Sequence, residues 1–408
     1  MKGIGVVKRL HILLISLTIL VVIFIVALPL FTIYRAKSQQ NIVNGSGITH
    51  ILGGFEIATS TAASRAAAEG VQVVFNYGTP PSENSSVGQR LQSLHMKVID
   101  GYISSYMYYY ECHRTAVLKP ALLRPGQYCP YDSHPDLTNE NVLLATIAAH
   151  LKQVQNNRLI TGYWVLDDWV KWDAGSARLL LMKIHQLIQR YTPGRPDICG
   201  FGGSIGLHQE YGWNDWIADN FSPQGCDAVG LYVYAPSYPD TTPVTASSDY
   251  NWSMAGLLSA MFTSLQRRGW DIAKEPLIGI GQAFGGHMAH KKAYWIIPDV
   301  KSMVTQSKSF CEHGATSLVF YAWSDSEFGP ATQTPMNSAA IATGIRDGTA
   351  ACQQIWNHQW KDTCLLVQNT TCRIRGYLSN MRQQGLDTLS VLDANLIWAS
   401  DPVLFQAL

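Results

Sequence analysis

The stretch Leu159–Trp169, LITGYWVLDDW, decides the fold. It is an apolar, aromatic run of strand length that ends in two adjacent carboxylates and an indole, and the helical pattern Ser176–Tyr191, SARLLLMKIHQLIQRY, follows it. The same unit recurs on both sides. Upstream lie Ile48–Glu56 with the Ala-rich helix Ser60–Gly70, Val71–Gly78 with the helix Ser85–His95, and Met96–Ser105, whose connection carries a long loop through Pro135 and the helix Glu140–Asn157. Downstream lie Asp197–Ser204, then Cys226–Ala235 with the helix Met254–Gly269, Pro276–Gly286 with a helix over Val300–Cys311, and Thr316–Ser326 with the helix Ala339–Gly348. Eight repeats of strand then helix over about 300 residues match the count and size of a (β/α)8 TIM barrel. An open doubly wound sheet is the alternative, but it uses fewer strands and a phosphate loop, and neither GxGxxG nor GxxxxGK follows any strand.

The barrel spans 48–350. Before it, His11–Tyr34 is nearly all apolar over about the 20 residues that a bilayer requires, so 1–37 reads as a cytoplasmic tail and a single transmembrane helix, with a polar linker at 38–47. Lys2, Lys8 and Arg9 precede the span against Arg35 and Lys37 after it, which orients the N-terminus to the cytoplasm and the folded body to the exported side. A cleaved signal peptide is the competing reading, but the run is long and no small-x-small site follows it. Residues 351–408 form a cysteine-containing C-terminal extension.

The eight cysteines are an even number, in keeping with export. Cys112 with Cys129 and Cys364 with Cys372 are candidate pairs, and no CxxC motif suggests zinc or redox work. Thirty basic and 29 acidic residues are scattered, so nothing favours a nucleic-acid partner. Twelve Trp, 19 Tyr and 12 Phe suit flat apolar ligands and sugar rings.

In a TIM barrel the chemistry sits at the C-terminal ends of the strands. The polar and aromatic residues there are Glu56, Asn76 and Tyr77, Asp100 and Tyr102, Asp167 and Asp168 with Trp169, Ser204, Tyr232 and Tyr234, Gln282, and Trp323 with Asp325 and Glu327. This set is aromatic, amide and carboxylate, without a convincing metal or phosphate group, and it implies no cofactor. His287 and His290 are three apart but lack a visible third ligand, and Asp227 begins its strand at the face where stability is the default reading.

These strand ends resemble those of (β/α)8 glycoside hydrolases, in particular barrels whose fourth strand ends in an Asp-Glu-Pro or Asn-Glu-Pro type turn. GYWVLDDW is similar to that pattern, with Asp167 at the first polar position and Asp168 at the acid, and the resemblance makes Asp168 the proton donor. LYVYAP and FYAWSDS resemble the strand-six tyrosine and strand-eight tryptophan that line sugar subsites. The departures are as specific. Retaining hydrolases of the large clan carry a nucleophilic Glu at the end of strand seven, where this chain has Gln282. The DxxDxDxE motif of chitinase-like barrels is absent.

Glycoside hydrolysis takes two carboxyl groups across the scissile bond, and adjacent strand residues point to opposite faces, so Asp167 and Asp168 need a partner elsewhere. Asp100, Glu56, Asp325 and Glu327 are the candidates for that partner, and Asp100 and Asp325 are preferred because each directly ends a strong strand. An acid beside Trp164 and Trp169 is expected to have its pKa raised by desolvation. Asp168, Asp167, Asp100 and Asp325 are therefore the catalytic candidates, and Glu56, Asn76, Tyr102, Trp169, Tyr232, Tyr234, Gln282 and Trp323 the substrate-binding ones. The expected function is a membrane-anchored, exported glycoside hydrolase-like protein with a carbohydrate ligand. A carbohydrate-binding or structural surface protein without turnover is the alternative, because Gln282 stands where a carboxylate is needed.

Overall fold

The computed structural model describes residues 50–118, 135–167, 174–204, 220–234, 237–239, 254–288, 293–325 and 328–367. Eight parallel strands close into a barrel: β1 (Leu52–Phe55), β2 (Val73–Tyr77), β3 (Lys97–Gly101), β4 (Ile160–Leu166), β5 (Asp197–Ser204), β6 (Ala228–Tyr234), and the seventh and eighth staves, Leu277–Gln282 and Ser317–Tyr321. Between them a strand β7 (Ser237–Pro239) leaves the barrel, so the last two staves are β8 and β11 in chain order. Closure is made by β1, which pairs with β2 on one side and β11 on the other. The (β/α)8 expectation holds.

The helices are α1 (Ser60–Ala68), α2 (Ser86–Ser93), α3 (Tyr102–Leu118), α4 (Glu140–Val154), α5 (Ala174–Tyr191), α6 (Met254–Gln266), α7 (Val300–Glu312) and α8 (Ala339–Val367). Their starts follow the capping rule: Thr59, Ser85 and Asp299 each accept a hydrogen bond from the backbone N–H three residues on. Helix α3 is the element the sequence hides. Its run YISSYMYYYECHRTAVL is rich in tyrosine, a weak helix former, yet Ile103, Met107 and Tyr110 at helical spacing are all buried, so packing overrides propensity.

Alternation along the staves divides the core in two. Phe55, Val73, Phe75, Ile99, Trp164, Ile198, Tyr232, Ile278, Ile280 and Val319 fill the barrel. Their neighbours Val74, Val98, Val165, Cys199, Leu231, Leu318 and Phe320 face the helix layer. The inner core is crowded around one indole. A Cβ on Gly200 would lie 2.2 Å from Trp164 Cζ2 and one on Gly230 2.7 Å from Trp164 Cη2, so two staves give up side chains to admit the Trp164 ring.

Among the described residues two disulfides tie the body: Cys199 of β5 to Cys226 just before β6, and Cys311 of α7 to Cys352 of α8. Both use cysteines that the sequence left unassigned, brought together by the strand pairing of β5 with β6 and the packing of α7 on α8. Cys129 and Cys372, the partners expected for Cys112 and Cys364, lie outside the described residues, as does the apolar segment 11–34. Among the described residues no helix is long and apolar enough to cross a membrane. Helix α8 runs through the boundary placed at 350, so the start of the C-terminal extension continues a barrel helix.

Candidate active site

A second sheet lies over part of the C-terminal mouth. β7, β9 (Gly286–His287) and β10 (Ala293–Trp295) form three antiparallel strands, inserted after the sixth and seventh staves. Trp295 from this sheet meets Tyr234 edge-on at 6.1 Å between ring centroids, and Phe284 at 5.3 Å. Below, Phe55 sits at the centre of an aromatic floor, with Tyr77, Trp164, Tyr232 and Tyr321 within 5.9 Å of it, centroid to centroid. The buried Trp164 Nε1 has no hydrogen-bond partner among the described residues.

The polar groups of the mouth converge on Tyr77. Its hydroxyl lies 3.1 Å from that of Tyr232 and donates to Asp167, while its backbone N–H donates to Glu56 Oε1. Burial, chiefly, and the Asp167 charge push the Tyr77 hydroxyl far above its ordinary pKa, so it stays a donor. Across β1 and β11, Tyr321 donates its hydroxyl to Asp325, whose charge acts on Glu56. Glu56, Asp167 and Asp325 are thereby gathered by three tyrosines from β2, β6 and β11.

Glu56 is the unusual member. Its φ of +56° is left-handed, a region that a non-glycine side chain rarely adopts, and the turn is held by Glu56 N–H on Phe75 O and Ser324 Oγ on Glu56 O, both at 2.8 Å. Burial raises its carboxyl to about 7, the Tyr77 N–H opposes this, and the Asp325 charge adds to it. The carboxyl of the mouth that desolvation protonates near neutrality is thus Glu56, a candidate partner carboxylate ranked below Asp100 and Asp325.

Asp167 enters the mouth through an irregularity. With Trp164 inside the barrel, strict alternation would turn Leu166 and Asp168 inward and Asp167 outward. Pairing with β5 slips between Trp164 and Leu166, so Leu166 joins the outer layer and Asp167 meets Tyr77. Asp168 and Trp169 lie outside the described residues.

Several other expectations are corrected by the same in-and-out logic. Asp100 follows the inward Ile99 and so faces the helices, where its carboxylate binds His150 Nε2 at 2.7 Å and the Tyr102 N–H at 2.9 Å. It is fully buried between β3 and α4, away from the mouth. Tyr102 opens α3 and stacks on His150, ring centroids 3.8 Å apart. Asn76 is likewise the outward neighbour of the mouth residue Tyr77, and its amide donates to the carbonyls of Tyr77 and Gly78. Trp323 packs outward: a Cβ on Gly54 would come 2.2 Å from its ring, and the mouth position on that stave belongs to Tyr321. The peptide bond Tyr321–Ala322 is cis.

Tyr232 and Tyr234 do line the mouth. Gln282 is buried, and both protons of its amide go to the carbonyls of Phe284 and Ile296, so it braces the loop that carries the small sheet. His287 is exposed and packs edge-on against Tyr294; His290 and Glu327 lie outside the described residues. Sequence reading missed Tyr321, Phe284 and Trp295, and listed Tyr77 without giving it a role; Tyr77 stands next to the chosen Asn76, Tyr321 and Phe284 stand two residues from Trp323 and Gln282, and Trp295 has no such signal.

No protein-family model and no curated protein matches this sequence. Among the solved structures to which the chain is similar are glycosidases. An endo-beta-1,4-mannanase from Thermotoga petrophila is 11% identical, with 76% of this chain and 77% of that one covered and a TM-score of 0.48. A chitinase catalytic domain from Pyrococcus furiosus is 13% identical, with coverages of 76% and 98% and a TM-score of 0.46. A beta-galactosidase from the psychrophilic Marinomonas ef1 is 11% identical at a TM-score of 0.44; 75% of this chain is covered, and the chain spans 59% of that enzyme's length.

Proposed function

We propose that the barrel mouth binds carbohydrate and cleaves a glycosidic bond with carboxyl groups as acid and base. The observation that carries this is the gathering of Glu56, Asp167 and Asp325 around Tyr77 in an aromatic-lined mouth. Glu56, protonated up to about 7, is the group suited to give a proton to a leaving oxygen. Asp167, just past the end of the fourth stave with Asp168 next in sequence, supplies the opposing carboxylate, and burial, with the Asp325 charge adding to it, keeps the proton on Glu56. Tyr232, Tyr234 and Trp295 offer rings for sugar faces, and the Trp164 N–H a donor for a hydroxyl.

The chain is further proposed to be anchored by residues 11–34 with the barrel exported. The two disulfides support an oxidising compartment.

One observation favours a second reading, carbohydrate binding without turnover. Gln282 ends the seventh stave, and its amide protons are committed to backbone carbonyls. The test is a panel of β-linked and α-linked oligosaccharides incubated with the wild-type chain, Glu56→Gln and Asp167→Asn. Product from the wild type that drops at least 100-fold in both variants is expected. Saturable binding with no product from any of the three would replace hydrolysis by the binding reading, and unchanged product in both variants would move the chemistry elsewhere.

A further inference from the structure

At the opposite, N-terminal end of the barrel, three side chains converge that the mouth does not use. Asp197 is the first residue of β5, Asp227 immediately precedes β6, and His185 projects from α5. His185 Nδ1 lies 3.1 and 3.2 Å from the two carboxylate oxygens of Asp197 and 4.0 Å from Asp227 Oδ2. One ligand atom from each of the three falls within 4.8 Å of the others. The Asp197 side chain is wholly buried, whereas those of His185 and Asp227 are 26% and 39% exposed, so the cluster has a closed base and an open solvent side.

We propose that His185, Asp197 and Asp227 form a site for a divalent transition cation of the Zn2+ class, which pins α5 to the starts of β5 and β6. A zinc ion sits about 2.0–2.1 Å from nitrogen and oxygen ligands, which places tetrahedral donors about 3.3–3.4 Å apart. The observed separations of 3.1 to 4.0 Å bracket that value. The donor set of one imidazole and two carboxylates suits zinc better than magnesium or calcium, which take oxygen ligands.

The two carboxylates are held by the backbone as well as by each other. Asp197 N–H donates to Asp227 Oδ2 at 3.2 Å, and Asp227 N–H donates to Asp197 Oδ1 at 3.3 Å, an exchange fixed by the pairing of β5 with β6. The Cys199–Cys226 disulfide locks the same two strand starts.

The test uses the full chain, stripped with a chelator and titrated with ZnCl2 against a competing metal dye at pH 7.5 and 5.5, beside His185→Gln. His185 is partly exposed on a helix, so this variant keeps the fold, which circular dichroism checks. Expected are one saturable equivalent in the wild type, at least tenfold weaker binding at pH 5.5, the loss of that equivalent in His185→Gln, and a Tm that rises with Zn2+ in the wild type alone. Equal stoichiometry and affinity in wild type and variant, or no saturable binding by folded wild type at pH 7.5, would overturn the proposal.

Discussion

The hydroxyls of Tyr77 and Tyr232 meet at 3.1 Å, a contact between residues 155 apart in sequence that joins β2 to β6 over the aromatic floor. Because Tyr77 also donates to Asp167, this one phenol links two opposing sides of the mouth. Tyr77→Phe is expected to cost about 0.5–1.5 kcal/mol of stability in urea unfolding, the net worth of a typical hydrogen bond. A double-mutant cycle with Tyr232→Phe should show non-additivity of about 0.5 kcal/mol or more; strict additivity would mean that the two hydroxyls do not interact.

Glu56 gives the mouth a pH signature. Its folded pKa of about 7 lies above the ordinary 4.5, so the native state holds a proton that the unfolded chain releases. Its contribution is fully present below about 4.5 and is lost as pH rises through about 7. Glu69 and Asp197, also raised to about 7 by burial, add to the same decline. Glu56→Gln should therefore flatten, without abolishing, the fall of stability between pH 4.5 and 7 in chemical denaturation. An unchanged slope would show that Glu56 ionises as a solvated carboxylate.

Gly200 has no room for a methyl group. Gly200→Ala would put a Cβ 2.2 Å from Trp164 Cζ2, a clash that only movement of the indole or of β5 relieves. Overpacking of this kind costs about 1–3 kcal/mol. Since Trp164 is the floor of the mouth, carbohydrate affinity should fall along with the denaturation midpoint. Wild-type affinity in a destabilised Gly200→Ala chain would separate the floor from the site.

The Cys311–Cys352 bridge joins two helices outside the barrel, at a sequence separation of 41. Replacing both cysteines by alanine is expected to destabilise the chain by about 2–4 kcal/mol through the freed unfolded ensemble. Urea unfolding of the double variant, compared with wild type with and without reductant, checks this; the reductant should have little further effect on the variant.

Strand count and order of elements were legible because each stave is a short apolar run and most helices carry a period and a cap, as at Thr59, Ser85 and Asp299. Alternation could be applied wherever one inward residue was known. It failed at β4, where a slip in pairing turns Asp167 into the mouth, and slips are properties of two strands together. It was not applied at Asp100 and Asn76, which end their staves as expected but face outward beside the inward Ile99 and Tyr77. At Trp323 it fails again, because Tyr321 and Ala322 both join the inner cluster and Trp323 then turns outward.

What the sequence by itself determined is local: eight βα repeats, the ends where polar residues collect, and the surplus of aromatics. These follow from patterns read over a few adjacent residues. Only the tertiary structure decided which strand-end side chains share a cavity, that Glu56 keeps its proton, which cysteines pair, and that His185 meets Asp197 and Asp227 beneath the barrel. Each of these depends on closure, register and desolvation, which arise between segments far apart in the chain and leave no trace in either segment alone.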